Sequence, residues 1–131
     1  MVVRIGKTSE KALETCTKYG LWGEKNSLAK WEIGDQLILY VNKKLAAVAE
    51  VTGKAFKDNS PIWEQGIFPS RIPIKFNYIL KKDDMIPFDA EIIGTFMDEW
   101  GLNYGWGIQS KHPLSKEAGE RLIEMIARKS K

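Results

Sequence analysis

One stretch of the chain is apolar on both of its alternating faces. From Gln36 to Asn42, Leu37, Leu39 and Val41 alternate with Ile38 and Tyr40. That pattern predicts a strand buried on both sides, as in a closed barrel. Leu45 to Thr52 is its expected hairpin partner across the tight Asn42-Lys43-Lys44 connection, and the small Ala46, Ala47 and Ala49 allow close packing against it. Arg71 to Leu80 predicts a third strong strand. Ile72, Ile74, Phe76 and Tyr78 share one face, Arg71, Lys75 and Asn77 the other, and Pro73 implies a bulge or an edge near the start. Val2, Val3 and Ile5 predict a first strand, and Leu21-Trp22-Gly23 a short one. Phe88 and Ile92-Ile93 suggest one more short strand, whereas the glycine- and aromatic-rich run from Gly94 to Gly107 predicts no regular element.

Helical signals stand near the two ends. Ser9 offers an N-cap, Ala12, Leu13 and Cys16 share a helical face, and Gly20 is a stop, which predicts a helix over Ser9–Lys18. Ser115 caps a last helix whose apolar face is Leu122, Ile123, Met125 and Ile126. Glu117 suits its positive end, and Arg128, Lys129 and Lys131 its negative end. The expected order is β-α-β-β-β-β-β-α. An α+β pseudo-barrel of five to six strands flanked by two or more helices is the economical reading; an open α/β sandwich is the alternative. No repeat, linker or low-complexity segment divides the chain, so residues 1–131 are expected to form a single domain.

Composition narrows the function classes. The 44% hydrophobic and 28% charged content argues against disorder, and a net charge of +3 is compatible with an anionic partner without requiring one. One cysteine, Cys16, and one histidine, His112, exclude an internal disulfide and a Cys- or His-rich metal site. No metal or cofactor is expected. No apolar run approaches the roughly 18 residues of a membrane span, and the charged start is unlike a signal peptide. The expectation is therefore a soluble protein of the cytoplasm.

Candidate chemistry centres on tryptophan. Of five, Trp22, Trp63, Trp100 and Trp106 stand in or beside glycine-containing, loop-like stretches, while Trp31 is expected in the core. Indoles so placed can stack on a flat base, or they can plug the ends of a small barrel. Asn26 and Ser27 can offer donors and acceptors to a base edge, or cap a turn. Arg71, Lys75, Lys111 and His112 can meet phosphates, or lie on a solvated face. Asp35 after Gly34 is expected to satisfy backbone N–H groups. No nucleophile elbow, phosphate-binding glycine loop or metal-ligand spacing occurs.

Three segments in order carry a resemblance: KYGLWGEKNSLAKWEIGDQLILYV, LAAVAEVTG and FPSRIPIKF. Together they resemble the EVE domain of the PUA-like superfamily and are similar to the related YTH domain, from about Lys18 to Lys82. The resemblance implies a pseudo-barrel that binds nucleic acid, RNA or DNA, and holds a modified base, methylated in YTH domains, in an aromatic cage. By motif position it implies that Trp22 is one cage wall, that the Gly23 backbone faces the base, and that Trp63 is the second wall. Trp100 or Trp106 would close the pocket. Glycine at 23 departs from the polar or small residue expected there and removes a side-chain contact. The expected function is a non-catalytic nucleic-acid-binding module that reads a modified base. A small RNA- or DNA-processing enzyme of the same superfamily and a protein-interaction module are the alternatives. Trp22→Ala is expected to lose affinity with little change in melting temperature.

Overall fold

A computed structural model describes residues 1–131. Strands β1 (Val3–Thr8), β2 (Leu21–Glu24), β3 (Gln36–Val41), β4 (Lys44–Val51), β5 (Phe56–Lys57), β6 (Ser70–Ile79) and β7 (Ile86–Pro87) form one sheet. The main path runs β1-β3-β4-β6-β2, with β5 paired to β6 and β7 to β4. Only β1 and β3 pair in parallel; helix α1 (Glu10–Tyr19) and β2 lie in the connection between them. Helices α2 (Ala90–Trp100), α3 (Gly105–Gln109) and α4 (Lys116–Lys129) follow the last strand. The sheet curls into a half-barrel of α+β type, with β1 and β2 as the two ends of its strand path.

The burial of both faces of β3 holds. Leu37, Leu39 and Val41 join Leu13 and Cys16 of α1 in one core. Ile38 faces a second core containing Ile92, Phe96 and Trp100 of α2 and Leu122 and Ile126 of α4. Helices α2 and α4 thus cover the second face of the sheet.

Local signals explain the element ends. Ser9, Asp89 and Ser115 accept the N–H groups of Ala12, Ile92 and Ala118 at 3.1, 3.0 and 3.2 Å, so each starts a helix. Gly20 ends α1 at φ 64°. Asn42 and Lys43 both take left-handed backbone (φ 49° and 58°), as a two-residue type I′ hairpin requires. The break in β6 falls opposite Val48/Ala49, later than Pro73, because Pro73 stands where the strand changes partner. Ile74 still pairs with Val51 of β4, and Pro73 pairs with Leu21 of β2.

One segment differs from the sequence expectation. Ile92-Ile93 is helical, and part of the run from Gly94 to Gly107 is α2 and α3. Ile92, Phe96 and Trp100 recur every four residues and seat α2 on the sheet, and Asp89 caps it. That spacing, not the β-branched pair, decides the conformation.

Candidate functional site

The two free ends of the strand path frame a cavity. About 400 Å³ in volume, it is lined by Lys7 and Thr8 of β1, Ser9, Ala12 and Cys16 of the α1 turn, Trp22, Gly23 and Glu24 of β2, Trp63 and Lys111, among others. Trp22 is 6% and Trp63 5% exposed, so their rings are walls rather than surface flaps.

The sheet alternation explains why two indoles meet at one strand. Trp22 and Gly23 project to opposite faces of β2. On one face the Trp22 ring packs over Gly6 of β1, where a β-carbon would stand 3.2 Å from Trp22 Cζ2. On the other face Trp63 covers Gly23, where a β-carbon would lie 2.6 Å from Trp63 Cη2. The cavity opens at the strand edge between them.

That edge is polar. Ile74 N–H donates to Gly20 O at 2.9 Å, and the register continues as Leu21–Pro73, Trp22–Ile72 and Gly23–Arg71. Antiparallel pairs alternate between bonded and non-bonded types. Gly20–Ile74 and Trp22–Ile72 are therefore the bonded pairs, and Gly23 directs its N–H and C=O away from β6, toward the open edge. One backbone donor and one acceptor thus stand between the two aromatic walls.

Side chains hold this arrangement. Trp22 Nε1–H donates to Glu24 Oε2 at 2.8 Å, which fixes the rotation of the indole. Glu24 also lies 3.8 Å from Lys111 Nζ, with both side chains mostly buried. Behind Trp63, the Arg71 guanidinium carbon sits 5.1 Å from the ring centroid, and Phe68 meets the ring edge-on at 5.6 Å. Burial pushes the Cys16 thiol up to about 11, so the sulfur in the cavity wall is a neutral thiol.

The other sequence candidates are distributed elsewhere. Arg71 is 1% exposed, donates to Phe68 O and Ser60 O, and pairs with Asp58 at 3.5 Å. Its place is behind an indole, because the edge register turns it inward. Lys75 is exposed and does not line the cavity. Asn26 is exposed, and Ser27 accepts Ala29 N–H at 3.1 Å, a turn role; neither lines the cavity. Trp100 stacks on Phe96 in the second core at 6.0 Å, because α2 carries it there. Trp106 is 50% exposed and packs against His112, outside the cavity. Trp31 is half-buried, with the Arg4 guanidinium 4.7 Å from its ring centroid. Lys111 alone of the four basic candidates reaches the cavity. Glu24, Lys7 and Lys25, which also line it, carried no sequence signal beyond proximity to Trp22 or to the first strand. No group of three or more His, Cys, Asp or Glu side chains is placed to hold a metal, and no helix is long and apolar enough to cross a membrane.

The shape belongs to a known architectural class. No family model matches the sequence, and no curated protein does. Among solved structures, the chain is similar to YTH domains and adopts the YTH-like fold. The YTH domain of Mmi1 in complex with RNA superposes with a TM-score of 0.67 at 16% identity, over 95% of this chain and 80% of that one. The YTH domain of the Zygosaccharomyces rouxii MRB1 protein, in complex with N6-methyladenosine RNA, gives 0.62 at 11% identity, over 95% and 86%. A Rhodopseudomonas palustris protein solved by NMR gives 0.61 at 17% identity, over 98% and 94%.

Proposed function

We propose that the chain is a non-catalytic nucleic-acid-binding module that inserts one modified base between Trp22 and Trp63. The observation that carries this reading is the cavity at the open edge of β2, with two indole walls and the Gly23 backbone between them. The YTH domains of like fold that were solved with RNA and with N6-methyladenosine RNA support it. The resemblance of the Lys18–Lys82 segments supports the finer assignment to the EVE branch of the PUA-like superfamily, acting as one domain.

The energetics suit a reader. Stacking on an aromatic side chain is worth about 1–3 kcal/mol per base. Removing a base from a duplex costs a few kcal/mol, least where the base is already single-stranded. A buried methyl group adds about 0.8 kcal/mol, which yields only a several-fold preference. Gly23 N–H and C=O supply the rest of the discrimination, since a base whose edge does not match them leaves a buried polar group unpaired. Lys7 and Lys25, at the cavity rim, serve the phosphates.

Titration of tryptophan fluorescence tests the proposal. N6-methyladenosine or 5-methylcytidine, alone or within single-stranded oligonucleotides of RNA and DNA, is expected to quench emission more strongly than its unmodified counterpart. Absence of quenching or binding by any of these probes overturns the reading.

A further inference from the structure

A second aromatic surface is built from Trp106 and His112, the residue that follows the cavity-lining Lys111. Trp106 is the half-exposed tryptophan of the chain, yet it is firmly seated. It rides on α3, whose Gly107 presses so closely on Trp100 that a β-carbon would lie 2.2 Å from the indole, and its ring meets Trp100 at 6.5 Å. The exposed His112 ring packs against it at 5.3 Å, tilted by 55°.

The chain between them explains the placement. Lys111 takes left-handed backbone (φ 55°) just past the end of α3, a position where glycine is the usual occupant. His112 N–H then closes the helix end on Gly107 O at 2.9 Å. This turn sends Lys111 inward to Glu24 on the cavity wall and His112 back onto Trp106. The cavity-lining Lys111 and the exposed His112 are thus consecutive residues that this turn sends in different directions.

We infer that Trp106 and His112 form a stacking platform for the nucleotide that adjoins the captured base. The inference rests on the reading of the cavity as a base site. A captured base leaves its neighbour on the strand without its own stacking partner. The indole of Trp106, held by Trp100 and His112, replaces that partner, and base–aromatic stacking tolerates any sequence. The ligand of the whole site is then a single-stranded oligonucleotide rather than a nucleoside.

The experiment compares N6-methyladenosine and 5-methylcytidine as nucleosides with single-stranded pentanucleotides carrying each at the centre. Wild type, Trp106→Ala and Trp106→Phe are titrated by calorimetry and sized by gel filtration. The expected result is that Trp106→Ala weakens pentanucleotide binding roughly 5- to 150-fold, while nucleoside affinity is unchanged and Trp106→Phe retains most of the gain. Unchanged nucleoside affinity also shows that the variant is folded. Equal pentanucleotide affinity of wild type and Trp106→Ala, with nucleoside still bound, overturns the platform alone. So does an equal loss for nucleoside and pentanucleotide, or conversion of a dimer to a monomer with binding intact. If wild type binds neither probe, the base-reading proposal itself fails.

Discussion

Gly23 and Trp63 compete for the same space: the ring of Trp63 stands 2.6 Å from where a β-carbon on residue 23 would be. The glycine therefore does more than remove a side-chain contact. It admits the second indole against the strand and leaves the residue's N–H and C=O facing the cavity. Gly23→Ala forces the indole outward. Overpacking of this kind costs about 1–3 kcal/mol. The expected outcome is a lower melting temperature together with loss of nucleoside binding, measured by thermal unfolding and by titration. An unchanged melting temperature would show that Trp63 is not seated on residue 23.

On the proposed reading Trp22 serves packing as well as recognition, so its truncation is expected to cost stability too, unlike the expectation from the sequence alone. It is buried in the same core as Leu37 and Leu39, against Gly6. Trp22→Ala is expected to lose about 3–5 kcal/mol of stability in a denaturant titration. Trp22→Phe keeps a ring in place and loses the Nε1–H bond to Glu24. It should stay folded and bind nucleoside more weakly than wild type. Equal affinity would remove Trp22 from the site.

Salt dependence separates the cavity-rim lysines from those elsewhere. Each phosphate neutralised on a single strand contributes about −0.7 to the slope of log K against log salt. Lys25→Ala and Lys7→Ala are each expected to reduce the magnitude of that slope by about 0.7. Lys75→Ala, on the exposed face of β6, is expected to leave it unchanged. Fluorescence anisotropy across a salt series measures all three.

Acid stability reports on Asp35, which ties the first strand to the turn before β3. Burial by itself would raise its carboxyl. The N–H groups of Glu32 and Val2 at 2.9 and 3.1 Å and the Arg4 guanidinium at 2.9 Å outweigh that and hold it below the usual carboxylate range. The stability it contributes is complete above the unfolded-state value of about 3.9 and is lost as the pH falls from there through the lower folded-state value. Melting temperature followed from pH 7 to pH 3 should fall more steeply for wild type than for Asp35→Asn. Parallel curves would show that the carboxylate is not what holds this turn.

Much of the fold can be read from local pattern. Ser9, Gly20 and Ser115 mark helix ends because capping involves neighbours in sequence, and β3 declares itself by two-sided apolar alternation. The α2 segment misleads because Ile92-Ile93 looks β-branched and Gly94 looks like an interruption. Its true signal, Ile92, Phe96 and Trp100 four apart, spans just over two turns and is visible only when the longer period is tested.

At the site, the sequence by itself determined that Trp22 stands at a strand beside a glycine and that Trp63 precedes the next strong strand. Which tryptophans line the cavity was decided only by tertiary structure. Trp100 follows α2 into the second core, Trp106 stays outside, and Arg71 turns inward behind Trp63. Glu24 and Lys111 likewise meet only when the chain closes. The physical reason is that a cavity at an open sheet edge depends on long-range strand order and on the register of β2 against β6. Neither leaves a trace in local periodicity.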